Sequence, residues 1–325
     1  MDTSLLSFIS RKSQQVFGSK YSVLSMDRLL GGAQKHTYHI KTSADFEFVL
    51  YIWDTSTTYF ASDESSSFTS NSSELFELNN KIMADHGIHV QKLYYMDRSR
   101  KECDFEYAFA QYIDGIDMDE LIAKHKDKIE PALASLNQNL RNIHKIKSKV
   151  PGQLNHLLSS DYDLITSSKE NAQKNLEYLK VNDSGNINLY NKITKALNVM
   201  SLSLSARDNY TFIHGELGPN HVIVDKNNTA YLIDIEGAKF CDVEEEESFL
   251  KIRFGQYYDL ISEKNPSKER MDFYNLCHSL GNLSGAIELK LKDYYDMDDI
   301  NGMIDFFTKE LNHIAINYNK KLDEY

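Results

Sequence analysis

Cysteine is scarce: three in 325 residues, Cys103, Cys241 and Cys277, far apart and with no CxxC pair. That excludes a disulfide framework and a paired-cysteine zinc site, and it fits a reducing cytosol. Basic charge is also in deficit, with 36 Lys and Arg against 48 Asp and Glu, a formal net charge of −12. Such a balance opposes sequence-independent attachment to a phosphate backbone, so no nucleic-acid partner is expected. No apolar run approaches the roughly 18 residues that span a bilayer. Leu5, Leu6, Phe8 and Ile9 precede Arg11 and Lys12, the reverse of the order in a secretory signal. That stretch reads as a first helix, and a cytoplasmic protein without membrane attachment is expected. No internal repeat of fixed period is present, and nothing points to a protein partner.

What is present is an ordinary globular composition, 41% hydrophobic and 26% charged. The length corresponds to two domains, or one bilobal unit, at roughly 150 residues each. Strand signals dominate the first third. Tyr38 to Ile40 and Phe46 to Trp53 are rich in aromatic and β-branched residues, and they flank a hairpin connection at 41–45. Upstream, Gly31 and Gly32 stand at a strand-to-strand turn that leads into Lys35 and His36. Residues 55–73 are mostly Ser, Thr and small polar residues, read as a mobile loop. Glu74, Leu75, Leu78, Ile82 and Met83 then recur at helical spacing, with Gly87 as a stop. Two further strands are predicted at Val90 to Tyr95 and Glu106 to Ile113, closed by the turn Asp114-Gly115. Beyond it, 117–125, 132–146 and 171–179 read as helices. We therefore divide the chain at 113, into a strand-rich lobe (1–113) and a mainly helical lobe (114–325). Residues 1–110 carry 11 basic and 14 acidic side chains, a net of −3, which leaves −9 of the total charge for the rest.

The segment richest in chemistry is Phe212-Ile213-His214-Gly215-Glu216-Leu217-Gly218-Pro219-Asn220-His221-Val222-Ile223-Val224, followed after a turn by Ala230-Tyr231-Leu232-Ile233-Asp234-Ile235-Glu236-Gly237. It reads as a strand, a polar loop, and a hairpin that brings Asp234 back beside the loop. One carboxylate on the loop and one at a strand end can divide the work of a general base and a cation ligand. The same residues would equally serve as ordinary turn residues at a surface.

This segment resembles the catalytic loop of the aminoglycoside phosphotransferase and choline kinase-like family, HGDLHxxN followed by a hairpin and IDFE or IDWE, which is itself similar to segments of protein kinases. The resemblance runs over most of the chain. Gly31 to Tyr38 resembles the family's glycine loop, and Phe48 to Ile52 its lysine-bearing strand. Gln111 to Gly115 resembles the hinge, Leu140 to His144 a helix ending in Leu-His, and Asp242 the following GDP motif. It implies an α+β, bilobal, protein kinase-like fold, with an antiparallel-sheet N-lobe holding one main helix and a mainly helical C-lobe. By the same resemblance ATP or GTP binds between the lobes, its base at Gln111, Tyr112 and Ile113, its phosphates beneath Gly31 and Gly32, and Mg²⁺ on Asp234. Glu216 takes the position of the base that accepts the proton of the acceptor hydroxyl. His214 takes that of an imidazole that braces the loop, with a direct catalytic role as the alternative.

Three positions depart from the pattern. Glu216 replaces Asp and is one methylene longer. His221 replaces a metal-ligating Asn, as in macrolide phosphotransferases, which makes neighbouring Asn220 a candidate ligand. Tyr51 replaces the phosphate-pairing lysine, and Lys35 is the nearest cation by sequence. The helix glutamate, Glu74 or Glu77, is thereby left as a solvated face. Glu244 to Glu247 read as a solvated helix turn or a patch for a cationic substrate, and Tyr257-Tyr258 as core or pocket lining. Asp161, Asp163 and Asp293 to Asp299 carry no assignment. The expected activity is transfer of the γ-phosphate to a hydroxyl of a small, cationic molecule such as an aminoglycoside or macrolide. A kinase of an amino alcohol or sugar, and a catalytically weakened nucleotide-binding or regulatory protein, remain as alternatives.

Overall fold

Phe48 to Trp53 carries no charged residue, and the fold gives the reason: this strand is covered on both faces. The computed structural model describes residues 3–29, 35–54, 68, 72–125, 129–262, 266–292 and 297–322. Helix α1 (Thr3–Phe17) leads into strands β1 (Val23–Arg28), β2 (His36–Thr42) and β3 (Glu47–Trp53). Helix α2 (Ser73–Asp85) and strands β4 (Leu93–Asp97) and β5 (Glu106–Gln111) follow. The strands form one antiparallel sheet in the order β1-β2-β3-β5-β4. Phe48, Leu50 and Ile52 pack with Tyr107, Phe109 and Ile9 of α1 on the outer face. Val49, Tyr51 and Trp53 turn the other way, toward Phe76 and Met83 of α2. Each such burial contributes roughly 1.5–3 kcal/mol, so the sheet is clamped between two helices, α1 being additional to the expected main helix.

The β2–β3 connection is tight, with Asp45 at φ 51° and the Thr42 N–H donating to Phe46 O at 3.0 Å. Ser72 caps α2 by accepting from Leu75 N at 3.2 Å, and Gly87 (φ 72°) follows its end. The strand expected from Val90 begins only at Leu93, because Val90 instead bridges Leu232 of a later hairpin. Gly31, Gly32, most of the serine-rich stretch and Asp293 to Asp296 lie outside the described residues.

Beyond Gln111 come β6 (Gly115–Asp117), α3 (Met118–Lys124), α4 (Ile129–Ile143), the two-residue strands β7 (Lys147–Ser148), β8 (Gly152–Gln153) and β9 (His156–Leu157), α5 (Leu164–Asn182) and α6 (Ile187–Leu202). The chain continues as β10 (Tyr210–Ile213), β11 (Val222–Asp225), β12 (Ala230–Leu232), β13 (Lys239–Cys241), α7 (Val243–Phe254), α8 (Tyr258–Ile261), α9 (Lys268–Leu291) and α10 (Met297–Leu322). Two small sheets, β7-β10-β13-β8-β9 and β12-β11-β6, carry the polar loop. Helices α5, α6, α9 and α10 pack around a separate core that includes Leu176, Leu197, Phe273 and Leu311. The architecture is α+β, an antiparallel sheet joined to a mainly helical part. Among the described residues no helix is long and apolar enough to cross a membrane.

Candidate active site

The polar loop leaves β10, whose residues are all buried, and turns at Gly215. Gly215 has φ 92°, and a Cβ there would stand 2.8 Å from Gly237 O, so only glycine fits. Both neighbouring backbone N–H groups are held by one buried side chain: Glu246 Oε1 accepts from His214 N at 2.7 Å and Gly215 N at 3.3 Å. Its Oε2 meets His144 Nε2 at 2.6 Å, tying the end of α4 to the loop. The His214 ring is fully buried and Nε2 donates to Ile233 O at 3.0 Å. Burial, with His221 nearby, lowers its pKa to about 4, so the ring is neutral and acts toward the hairpin as a donor.

Glu216 follows. Burial first, and then the charges of Asp234 and Glu236, raise its pKa to about 8, against the pull of Lys35 and Lys239. The extra methylene has room because position 237 is glycine: Glu216 Oε1 lies 3.1 Å from where a Cβ would stand. After a 3₁₀ turn at Pro219–His221, β11 and β12 pair in register, Val222 opposite Leu232. The hairpin returns Asp234 to the loop in a left-handed conformation, φ 59° and ψ 47°. A non-glycine residue held there costs roughly 1–3 kcal/mol and marks a site that the surroundings over-determine. Here Asn79, fully buried on α2, donates to Ile235 O at 2.7 Å and pins the turn.

Lys35 closes the cleft from the other side. Its Nζ lies 2.8 Å from Asp234 Oδ1 and also meets Glu236 Oε1, and it sits 5.0 Å from the Tyr51 ring centroid. Burial pulls its pKa down, but Asp234 and Glu236 outweigh burial and hold the ammonium firmly protonated. Burial also opposes ionisation of Asp234, yet the Lys35 ammonium keeps its carboxyl below the usual range. Tyr51, in the lysine position, is buried and donates to Gln91 Oε1 at 2.6 Å. Gln91 Nε2 in turn donates to Gln111 O at 2.7 Å, so the first carbonyl of the expected hinge is already engaged. Tyr112 stacks on His39 with ring centroids 3.8 Å apart, and Ile113 is buried beside it.

His221 Nδ1 donates to Glu216 O at 2.8 Å, which turns its Nε2 toward Asp234 Oδ2 at 3.3 Å. Burial lowers the His221 pKa, and in the neutral ring that Nε2 is a lone pair facing a carboxylate. Two acceptors face one another there, and among the described residues Glu236 Oε2 is buried without a partner. Such a set suits a cation. Asn220 is not part of it, because its Oδ1 accepts from Arg253 Nη2 at 2.7 Å. Among the described residues no three His, Cys, Asp or Glu side chains converge on one metal position. Asp234 is the carboxylate here that could hold a metal whose other ligands are phosphate and water oxygens.

The remaining singled-out residues separate cleanly. Glu74 and Glu77 lie on the exposed side of α2 and pair with Arg98, at 3.0 and 3.4 Å. Asn79 of α2 also reaches the cleft, which no pattern of charge announced. Glu244 to Glu247 are not a solvated turn, because each has its own partner: Arg207 holds Glu244 through two 2.8 Å bonds, Lys239 holds Glu245 at 2.7 Å, and Tyr258 donates to Glu247 at 2.8 Å. Tyr257 and Tyr258 pack against the core, and Asp163 caps α5. Asp242 is buried with Arg270 and Tyr274.

Comparison with known proteins identifies the family and the fold. The model of the phosphotransferase enzyme family matches residues 27–246. Among curated protein sequences none matches. By structure the chain is similar to an apo aminoglycoside phosphotransferase APH(4)-Ia (13% identity, TM-score 0.65, 95% of this chain and 98% of that one). It is similar to spectinomycin phosphotransferase APH(9)-Ia in complex with ADP and spectinomycin (12%, 0.65, 95% and 97%). It is similar also to choline kinase LicA from Streptococcus pneumoniae (16%, 0.64, 96% and 100%). With the family model spanning both the sheet and the polar loop, the chain belongs to the phosphotransferase enzyme family, on a protein kinase-like fold.

Proposed function

We propose that the protein transfers the γ-phosphate of ATP or GTP to a hydroxyl of a small, amine-bearing molecule, with Mg²⁺ at Asp234. The observation that supports this most is the meeting in one cleft of Glu216, Asp234 and Lys35. Phosphoryl transfer asks little covalent chemistry of a protein; it needs an oriented hydroxyl and cations against the phosphates. Lys35 supplies the cation that Tyr51 does not, delivered from the loop before β2 rather than from β3. Asp234 and His221 would hold the metal, which when bound neutralises phosphate charge. Glu216, once deprotonated, accepts the proton of the acceptor hydroxyl as its oxygen attacks phosphorus, and His214 stays neutral and keeps the loop on Ile233. The base lies near Gln111 to Ile113, with Tyr112 and His39 as its aromatic neighbours. In this reading residues 1–113 bind nucleotide, 114–325 bind the acceptor, and the protein works in the cytoplasm.

The acceptor class follows from acidic side chains about the helical cavity, Asp161, Asp163, Glu170 and Glu245, set against two lysines. The structural neighbours in the aminoglycoside and spectinomycin phosphotransferase classes agree with it. The test is transfer of labelled γ-phosphate by the purified protein with Mg²⁺, ATP or GTP, and aminoglycosides, macrolides, amino alcohols and sugars. Transfer to any of them supports the proposal. Nucleotide binding with no turnover would assign the protein a binding role instead, as the raised pKa of Glu216 at neutral pH would favour.

A further inference from the structure

The Gln91 side chain is held by its surroundings as a fixed donor at the expected hinge. It is almost fully buried, and two groups clamp it: the Tyr51 hydroxyl donates to its Oε1 at 2.6 Å, and its Nε2 donates to Gln111 O at 2.7 Å. A backbone carbonyl only accepts, so Nε2 must be the end that faces Gln111 O, and Oε1 is then the end that takes the Tyr51 proton. The Gln91 backbone is fixed as well, its O accepting from Asn80 Nδ2 of α2 at 2.7 Å. Strand β5 leaves room on this side, because its inner face carries only alanines here, Ala108 opposite Tyr51 and Ala110 opposite Val49. Nε2 has a second hydrogen, and among the described residues Gln111 O is its one acceptor. Tyr51, which cannot pair with phosphates as a lysine would, thus orients an amide beside the place expected for the base.

We propose that Tyr51 and Gln91 set the choice of purine, favouring a base with an oxygen at position 6, guanine or hypoxanthine, over adenine. The preference rests on the phosphotransferase reading above, which puts the base at Gln111 to Ile113. Adenine presents its 6-amino group there, a donor. The carbonyl it needs is already engaged, and on the lone pair that stays open the amino group comes beside the Gln91 amide, donor against donor. Guanine presents an oxygen at the same place, and that oxygen accepts from the second Gln91 N–H. The Tyr51 hydroxyl and Gln111 O together keep the amide from turning its own oxygen toward an adenine.

Calorimetric titration of the full chain with the Mg²⁺ complexes of GTP, ITP and ATP tests it. The three share ribose and phosphates, so differences in Kd report the base, and ITP, which lacks the 2-amino group of GTP, isolates the oxygen at position 6. Wild type should bind GTP and ITP about tenfold more tightly than ATP, the worth of one neutral hydrogen bond made in one complex and lost in the other. Tyr51→Phe combined with Gln91→Met removes hydroxyl and amide together, strands neither as a buried unpaired group, and keeps the volume close to that of the wild type. It frees Gln111 O, and the preference should fall to within about threefold, chiefly through tighter binding of ATP. The inference is overturned if wild type binds ATP as tightly as GTP, if ITP follows ATP rather than GTP, or if the double variant keeps the tenfold preference. Should that variant not fold, the wild-type comparison of ITP with GTP and ATP decides. Each overturning result leaves Mg²⁺-nucleotide binding in place, whereas binding of no triphosphate removes the phosphotransferase reading and this preference with it.

Discussion

Replacing Lys35 by methionine tests whether the loop lysine does the work that Tyr51 cannot. The ammonium stands between Asp234, at 2.8 Å, and Glu236, whose side chain is 1% exposed. Removing one partner of a buried ion pair costs about 3–5 kcal/mol, and the 36% exposure of the Asp234 side chain places this case at the lower end. Part of the loss is relieved as Glu236, whose carboxyl burial already pushes up, takes on a proton. The deficit in stability is therefore largest at high pH and closes as pH falls into the carboxylate range. For nucleotide, a unit charge about 4 Å from a phosphate at an effective dielectric near 20 is worth about 4 kcal/mol, and halving it for solvent access leaves about 2 kcal/mol. That is about 30-fold in Kd. Titration of Mg²⁺-ATP and Mg²⁺-GTP into wild type, Lys35→Met and Lys35→Met with Tyr51→Lys measures it. The double variant, with its lysine returned to β3 beside the same space, should recover most of the affinity. A Kd for Lys35→Met within threefold of wild type refutes the reasoning.

Other expectations follow from the same cleft. Asp234→Ala should make nucleotide affinity the same with Mg²⁺ and with a chelator; a persisting Mg²⁺ dependence would remove Asp234 as the ligand. Because burial and its acidic neighbours raise Glu216 to about 8, kcat/KM should rise about tenfold per pH unit below that value and level off above it. Glu216→Gln should flatten that profile and lower turnover by about 10²–10⁴, and an unchanged profile in the variant would assign the proton to another group. Glu246→Ala leaves His144 and two backbone N–H groups without their partner. Its cost is about 3 kcal/mol, read in a chain of this length as a fall in Tm of about 4–5 °C; a fall under about 1 °C would show that the loop does not depend on this anchor.

The sequence by itself determined the parts of the protein that are local. His214 to Glu236 is one stretch of chain, and a hairpin of fixed register returns its second carboxylate to its first, so the polar cluster could be read before any fold was known. The strands at Tyr38 to Ile40 and Phe46 to Trp53 were legible for a like reason, since a residue's neighbours within a strand and its turn lie nearby in sequence. Tertiary structure decided what crosses between distant segments. Lys35 meets Asp234 across 199 positions, and Asn79 reaches Ile235 across 156. No periodicity encodes such a meeting, and an asparagine on a helix gives no sign of it. The four glutamates at 244–247 make the point most sharply. As a string they read as solvated charge, because four adjacent carboxylates repel and favour water. In the fold three of the four are almost fully buried and all four are bonded, because Arg207, Lys239, His144 and Tyr258 arrive from four separate stretches of the chain and satisfy each one separately. Charge in a sequence fixes the cost of burial, and only the assembled structure supplies the partners that offset it.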